Sequence, residues 1–170
     1  AYSNVIGNDV LEEVMDKNLD HFIPIGYTEE ELAYAGKFKE VVTELDKEGL
    51  KDMIAHVVEK DKRKEVLDMP LLDFKLDRSE SYGGGTDVGD VSWVVPTVQT
   101  NVCCYAAGTA LHSWQAVAQG KASIAHKGML TAAKVMACTG ADLLENPELI
   151  KKAHKDWLEE LDGETYPNPL

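Results

Sequence analysis

Helix signals follow one another along nearly the whole chain, while strand-like stretches are few, and that imbalance limits what the chain can fold into. Asn8 is placed to cap a helix on which Val10, Leu11, Val14, Met15, Leu19 and Phe22 share one face. Thr28-Glu29-Glu30-Glu31 has the form of a capping box, and Leu32, Ala35, Phe38, Val41, Val42 and Leu45 then turn inward. A third, highly charged helix is expected from Lys47 to Lys64, with Leu50, Met53, Ile54 and Val57 on its apolar side. SIAHKGMLTAAKVMACTGADLL is the strongest helix, opened by Ser123, with small residues such as Gly128 and Ala132 suited to close packing. Asn146-Pro147 begins a last helix anchored by Leu149, Trp157, Leu158 and Leu161.

Against these stand AYSNVI, LLDFKL and the β-branched VVPTVQTNVCCYAA, which reads as a buried strand with Pro96 at its start. The expected class is therefore α/β, a small mixed sheet covered by about five helices. A sheet so small cannot both cover five helices and be covered by them, so the sheet is expected to be incomplete.

Composition narrows the function classes. The chain has 170 residues, enough for one domain of ordinary size, with 44% hydrophobic and 28% charged residues. A net charge of −13 argues against nucleic acid, which calls for clustered Lys and Arg. No apolar run is long enough to span a bilayer. No secretory signal precedes the first element, and Cys103, Cys104 and Cys138 read as free thiols of a reducing cytosol. The expectation is a cytoplasmic protein. No Cys-x-x-Cys spacing or histidine pair makes these thiols a metal site.

The segment GGGTDVGDVSW carries the chemistry worth weighing. Glycines at 83, 84 and 85 allow positive φ and leave backbone N–H groups uncovered, so an anion or carbonyl oxygen can approach. Thr86 or Asp87 is equally placed to cap a short helical turn through Trp93. Tight turn and cradle stand about even on these residues alone, and the Gly-Lys-Ser/Thr ending of a Walker loop is absent. His112, in GTALHSWQ, follows a loop-like Ala-Gly-Thr after the strand-like stretch. It is either a hydrogen-bonded structural residue or a ligand, and one histidine does not make a metal site. His126 reads as a packed core histidine, while His21, His56 and His154 fall on charged helices as solvated residues. Ser113 beside His112 lies in no nucleophile elbow. Asp87 and Asp90 suit capping as well as they suit an acid–base pair.

Taken in order, GGGTD, the strand-like stretch, G-x-x-x-H-S and SIAHKGMLTAAKVMA resemble the C-terminal end of the zinc-dependent aminoacylase and glutamate carboxypeptidase family. TDVGDVSWVVPT, GTxxHSWQ and the NPEL helix resemble its aminobenzoyl-glutamate utilisation branch in particular. The likeness covers nearly the whole chain and is most specific from Gly83 to Ala137. It implies that residues 1–6 end a strand of the family's lid domain and that 7–170 are the C-terminal part of a catalytic α/β/α sandwich.

The same resemblance implies hydrolysis of the amide bond of an N-acyl amino acid such as aminobenzoyl-glutamate. Two divalent metals, zinc or manganese, would activate the water, and a glutamate would shuttle the proton. His112 corresponds to the last metal-binding histidine, and Gly83, Gly84, Gly85, Thr86 and Asp87 match a substrate-side glycine turn. The family's His-x-Asp motif, bridging aspartate and Glu-Glu pair have no counterpart in this sequence, and Ala110-Leu111 replace an expected proline-glycine pair. The expectation is thus a piece of a longer enzyme, without catalytic residues of its own and inactive alone. The other reading is a non-catalytic interaction or oligomerisation module of the same fold. An incomplete sheet would expose apolar surface, so a homo-oligomer is also expected.

Overall fold

The computed structural model describes residues 3–75 and 86–166. Its described residues hold eight helices and no strand, which overturns the expected α/β sandwich. The helices are α1 (Asp9–Leu19), α2 (Glu29–Glu40), α3 (Glu44–Val57), α4 (Arg63–Asp68), α5 (Asp87–Ser92), α6 (Trp114–Gln119), α7 (Ser123–Glu145) and α8 (Pro147–Leu161). The single charged helix expected over 47–64 is instead two, α3 and α4. No helix among the described residues is long and apolar enough to cross a membrane.

The strand expectations fail for a physical reason. β-Branched composition makes extended backbone favourable, but a strand exists only where a neighbour supplies a ladder. The stretch from Pro96 to Cys104 is irregular, and what it has instead is packing and side-chain hydrogen bonds. The Tyr27 hydroxyl donates to the Cys103 carbonyl at 2.7 Å. Residues 71–75 of LLDFKL are likewise irregular, and the Ala107 N–H donates to the Pro70 carbonyl at 2.9 Å. Residues 3–6 bond to a helix and the residue after it: the Ile6 N–H donates to Ser92 Oγ at 2.8 Å, and Trp93 Nε1 donates to the Asn4 carbonyl at 3.0 Å.

The chain divides into two compact units. The first takes the described residues of 1–21, 81–100 and 134–170, with α1, α5, the second half of α7 and α8. Here α1 packs on α8. Asn8 caps α1 by accepting from the Leu11 N–H at 3.0 Å, and its own amide donates to the Ala153 carbonyl at 2.8 Å. One buried side chain thus satisfies a helix start and ties it to α8. At the far end of α1, Asn18 Nδ2 donates to Asp142 Oδ2 at 2.7 Å.

The second unit takes the described residues of 22–80 together with 101–133. Its core gathers Ala35, Leu71, Ala106 and Ile124, with Tyr27, Leu32 and Phe38 packed around them. Close packing on the first half of α7 depends on Gly128, where a methyl would stand 2.3 Å from the Cys103 carbonyl oxygen. The capping box of α2 forms as its sequence indicates, with Thr28 N–H donating to Glu31 Oε2 at 2.8 Å and Glu31 N–H to Thr28 Oγ1 at 3.3 Å. Lys39 Nζ donates to the carbonyls of Leu67 and Met69, satisfying the open end of α4, and burial lowers its pKa.

Candidate functional site

Two of the five residues of the glycine turn lie among the described residues, Thr86 and Asp87; Gly83, Gly84 and Gly85 lie outside them. Thr86 is the N-cap of α5, its Oγ1 accepting from the Val88 N–H at 3.3 Å. Asp87 is the first helical residue and is exposed. The rest of α5 is held within the first unit. Ser92 is fully buried; its hydroxyl donates to the Gly89 carbonyl at 2.6 Å, and its own carbonyl accepts from Trp157 Nε1 at 2.7 Å. Asp90, which the sequence suits to capping or to an acid–base pair, accepts from the Ser3 N–H at 3.1 Å. Hydrogen bonds from Ser3, and a further one from Tyr166, hold the Asp90 carboxyl below its ordinary pKa. Its carboxylate therefore tethers residue 3 to α5.

His112 belongs to the second unit, in an exposed turn just before α6. Ser113 beside it is the N-cap of α6: its hydroxyl donates to the Ala110 carbonyl at 2.6 Å and accepts from the Ala116 N–H at 3.3 Å. That geometry uses the serine in capping. The turn is built from below by Gln119, which no motif in the sequence singles out. Gln119 is fully buried, and its Oε1 accepts from the Ala106 N–H at 2.8 Å while its Nε2 donates to Thr109 Oγ1 at 3.0 Å. One amide thus holds the loop leading to His112 at two points. Its sequence signal is faint, an uncharged polar residue late in a short apolar helix. Gly108, at φ +81°, makes the bend, and a methyl there would meet Val42 at 3.1 Å. Around the histidine the surface is apolar: Leu111, Trp114 and Val117 are 73%, 65% and 79% exposed.

A second polar cluster of the same unit lies around Glu31. Lys127 Nζ donates to Glu31 Oε2 at 2.6 Å and to the Gly26 carbonyl at 3.2 Å, and stands 5.5 Å from the centre of the Tyr27 ring. Burial alone would raise the Glu31 carboxyl, but bonds from Lys127, the Thr28 N–H and Ser123 outweigh it and bring its pKa down to about 2. Burial pushes the Cys103 thiol up to about 11 and raises Cys104 as well, so both are protonated at neutral pH. The cluster is built to hold α2 to α7 and offers no ready nucleophile.

His126, expected in the core, is exposed on α7. His21, His56 and His154 are exposed, as their charged helices suggest. The described residues contain no group of three or more His, Cys, Asp or Glu able to hold a metal ion. His112 therefore supplies one imidazole and does not form a metal site with other described residues.

No family model matches the sequence, and no solved structure does. One curated protein aligns with it from end to end. It is a subunit of the p-aminobenzoyl-glutamate hydrolase of Escherichia coli (strain K12), 36% identical over 177 residues. The chain is homologous to part of that protein. The alignment takes in 100% of this chain and 37% of the relative, so the chain spans a little over a third of the relative's length. Identity of this order along the whole chain shows common descent with that stretch of the relative. It agrees at that general level with the resemblance carried by residues 83–137.

Proposed function

We propose that this chain is one part of a metal-dependent amidohydrolase that cleaves the amide bond of an N-acyl amino acid, with aminobenzoyl-glutamate as the substrate to try first. The observation that carries the reading is the end-to-end likeness to a protein named for hydrolysing p-aminobenzoyl-glutamate. The placement of His112 in an exposed turn supports it, since a ligand must be reachable. In this reading His112 fills one ligand position of a two-metal zinc or manganese site. The other ligands and the proton-shuttling glutamate come from outside this chain, in whose sequence the His-x-Asp motif, bridging aspartate and Glu-Glu pair that the resemblance implies have no counterpart. The glycine turn ending in Thr86 and Asp87 faces the substrate.

The test is to join this chain to a polypeptide matching the rest of the relative and to follow aminobenzoyl-glutamate cleavage with added zinc or manganese. The chain by itself is expected to be inactive and the joined protein active. His112→Ala should abolish that activity while leaving the helical content unchanged. Full activity in the His112→Ala protein would remove the ligand assignment. A joined protein that binds no metal and cleaves no amide would favour a non-catalytic interaction module.

A further inference from the structure

Near His112 the side chain in the least ordinary setting is Trp114, 65% exposed although indoles are on average well covered. The two residues are two positions apart, so their Cα atoms stand within about 7 Å of each other. The indole is held from beneath. Its ring centre lies 6.3 Å from that of Phe38, and Phe38 lies 5.1 Å from Tyr34, both pairs tilted. Tyr34 and Phe38 are one turn apart on α2 and pack against the core of this unit. Three rings therefore run in file from the core to the surface beside His112. Leu111 and Val117, three residues to either side of Trp114, are more exposed still.

Charge decides what suits this surface. Residues 91–120 contain no Asp, Glu, Lys or Arg, in a chain where 28% of residues are charged. A charged group finds no partner in that segment, whereas a flat neutral ring exchanges water for the face of an indole. Because Phe38 already packs against the indole, little side-chain freedom is left to lose when a ring settles on it.

We propose that Trp114 receives the aromatic ring of the acyl group, and so sets which N-acyl amino acids are taken at His112. This rests on the hydrolase reading, and adds to it the side chain that tells an aromatic acyl group from an aliphatic one. An aminobenzoyl group carries its ring directly on the amide carbonyl. A carbonyl presented beside His112 thus leaves the ring within reach of a residue two positions along the chain. The carboxylates of the same substrate meet no cation in residues 91–120 and are left to other residues.

The joined protein, stripped of metal so that nothing turns over, is titrated by calorimetry with p-aminobenzoyl-glutamate and with N-acetylglutamate. The aromatic amide is expected to bind more tightly. Trp114→Ala should weaken it about ten-fold or more and leave N-acetylglutamate within error. Trp114→Phe, which keeps a ring, should restore most of the preference, and circular dichroism checks that both variants remain helical. An equal loss of both amides in Trp114→Ala would assign the indole to folding or to a partner surface, and overturns the proposal. Equal binding of the two amides by the unaltered protein overturns it too, as does binding of neither. The hydrolase reading is scored separately, by cleavage once zinc or manganese is restored. Cleavage of the aromatic amide at unchanged kcat/KM in Trp114→Ala keeps that reading and overturns this one. Ring preference through Trp114 without any cleavage keeps the indole subsite and removes the hydrolase reading.

Discussion

At the scale of single residues, the decisive contacts are made by uncharged amides. Gln119 accepts from the Ala106 N–H and donates to Thr109, so truncating it would leave a buried N–H without a partner. Gln119→Leu keeps the volume and removes both bonds; it should destabilise the chain by about 1–3 kcal/mol in urea unfolding. Faster hydrogen exchange over residues 106–112 would show that the loss falls on the turn carrying His112. A stability within error of wild type would mean that the amide does not hold the loop. None of this is legible in the sequence. Whether a glutamine sits in solvent or under a loop depends on partners ten and more positions away, and no local pattern records them. Ser113 and Thr86 are easier, because a cap bonds to N–H groups two or three residues on and its signal is local.

At the scale of elements, the same contrast divides what is legible from what is not. Helix starts at Asn8, Thr28 and Asn146-Pro147 are all marked by nearby residues, and the helices begin there. Among the described residues the strand expectations fail over 3–6, 71–75 and 94–104, because propensity speaks for extended backbone but not for a ladder partner. The candidate site shares the first fate in part: the turn before His112 is legible from Ala-Gly-Thr, whereas the metal ligands proposed beside it would lie on residues that no local spacing reveals. Close packing by small residues can be tested directly on two helices. Gly36→Ala in α2 meets nothing within 4 Å and should stabilise by about 1 kcal/mol through helix propensity. Gly128→Ala in α7 carries the same propensity gain but places a methyl 2.3 Å from the Cys103 carbonyl and 2.5 Å from Cys104 Sγ. It should destabilise by about 1–3 kcal/mol or force the 101–104 stretch outward. Thermal melts of the two variants should therefore move in opposite directions. Equal shifts would show that α7 does not approach Cys103 so closely.

At the scale of the whole molecule, charge and fold stability respond to acid at different points. A net charge of −13 keeps copies apart at neutral pH, and that repulsion vanishes near the isoelectric point of about 4.7. The ion pair of Glu31 with Lys127 persists through that region. The folded-state pKa of Glu31 is about 2, below its ordinary 4.5, so the stability it contributes is fully present above pH 4.5 and is lost as pH falls toward 2. Near the first of these points the chain should be weakly charged and still folded, with apolar surface on α7 exposed. On stepwise acidification, light scattering is therefore expected to rise near pH 4.7 while far-ultraviolet circular dichroism stays helical. Helical signal should fall only at lower pH. Glu31→Gln, which removes the titrating carboxylate, should flatten stability against pH below 4.5 and leave the scattering maximum where it was. If helicity and solubility were lost together near pH 4.7 in both proteins, association would follow from unfolding. The charge balance of the folded chain would then not be its cause.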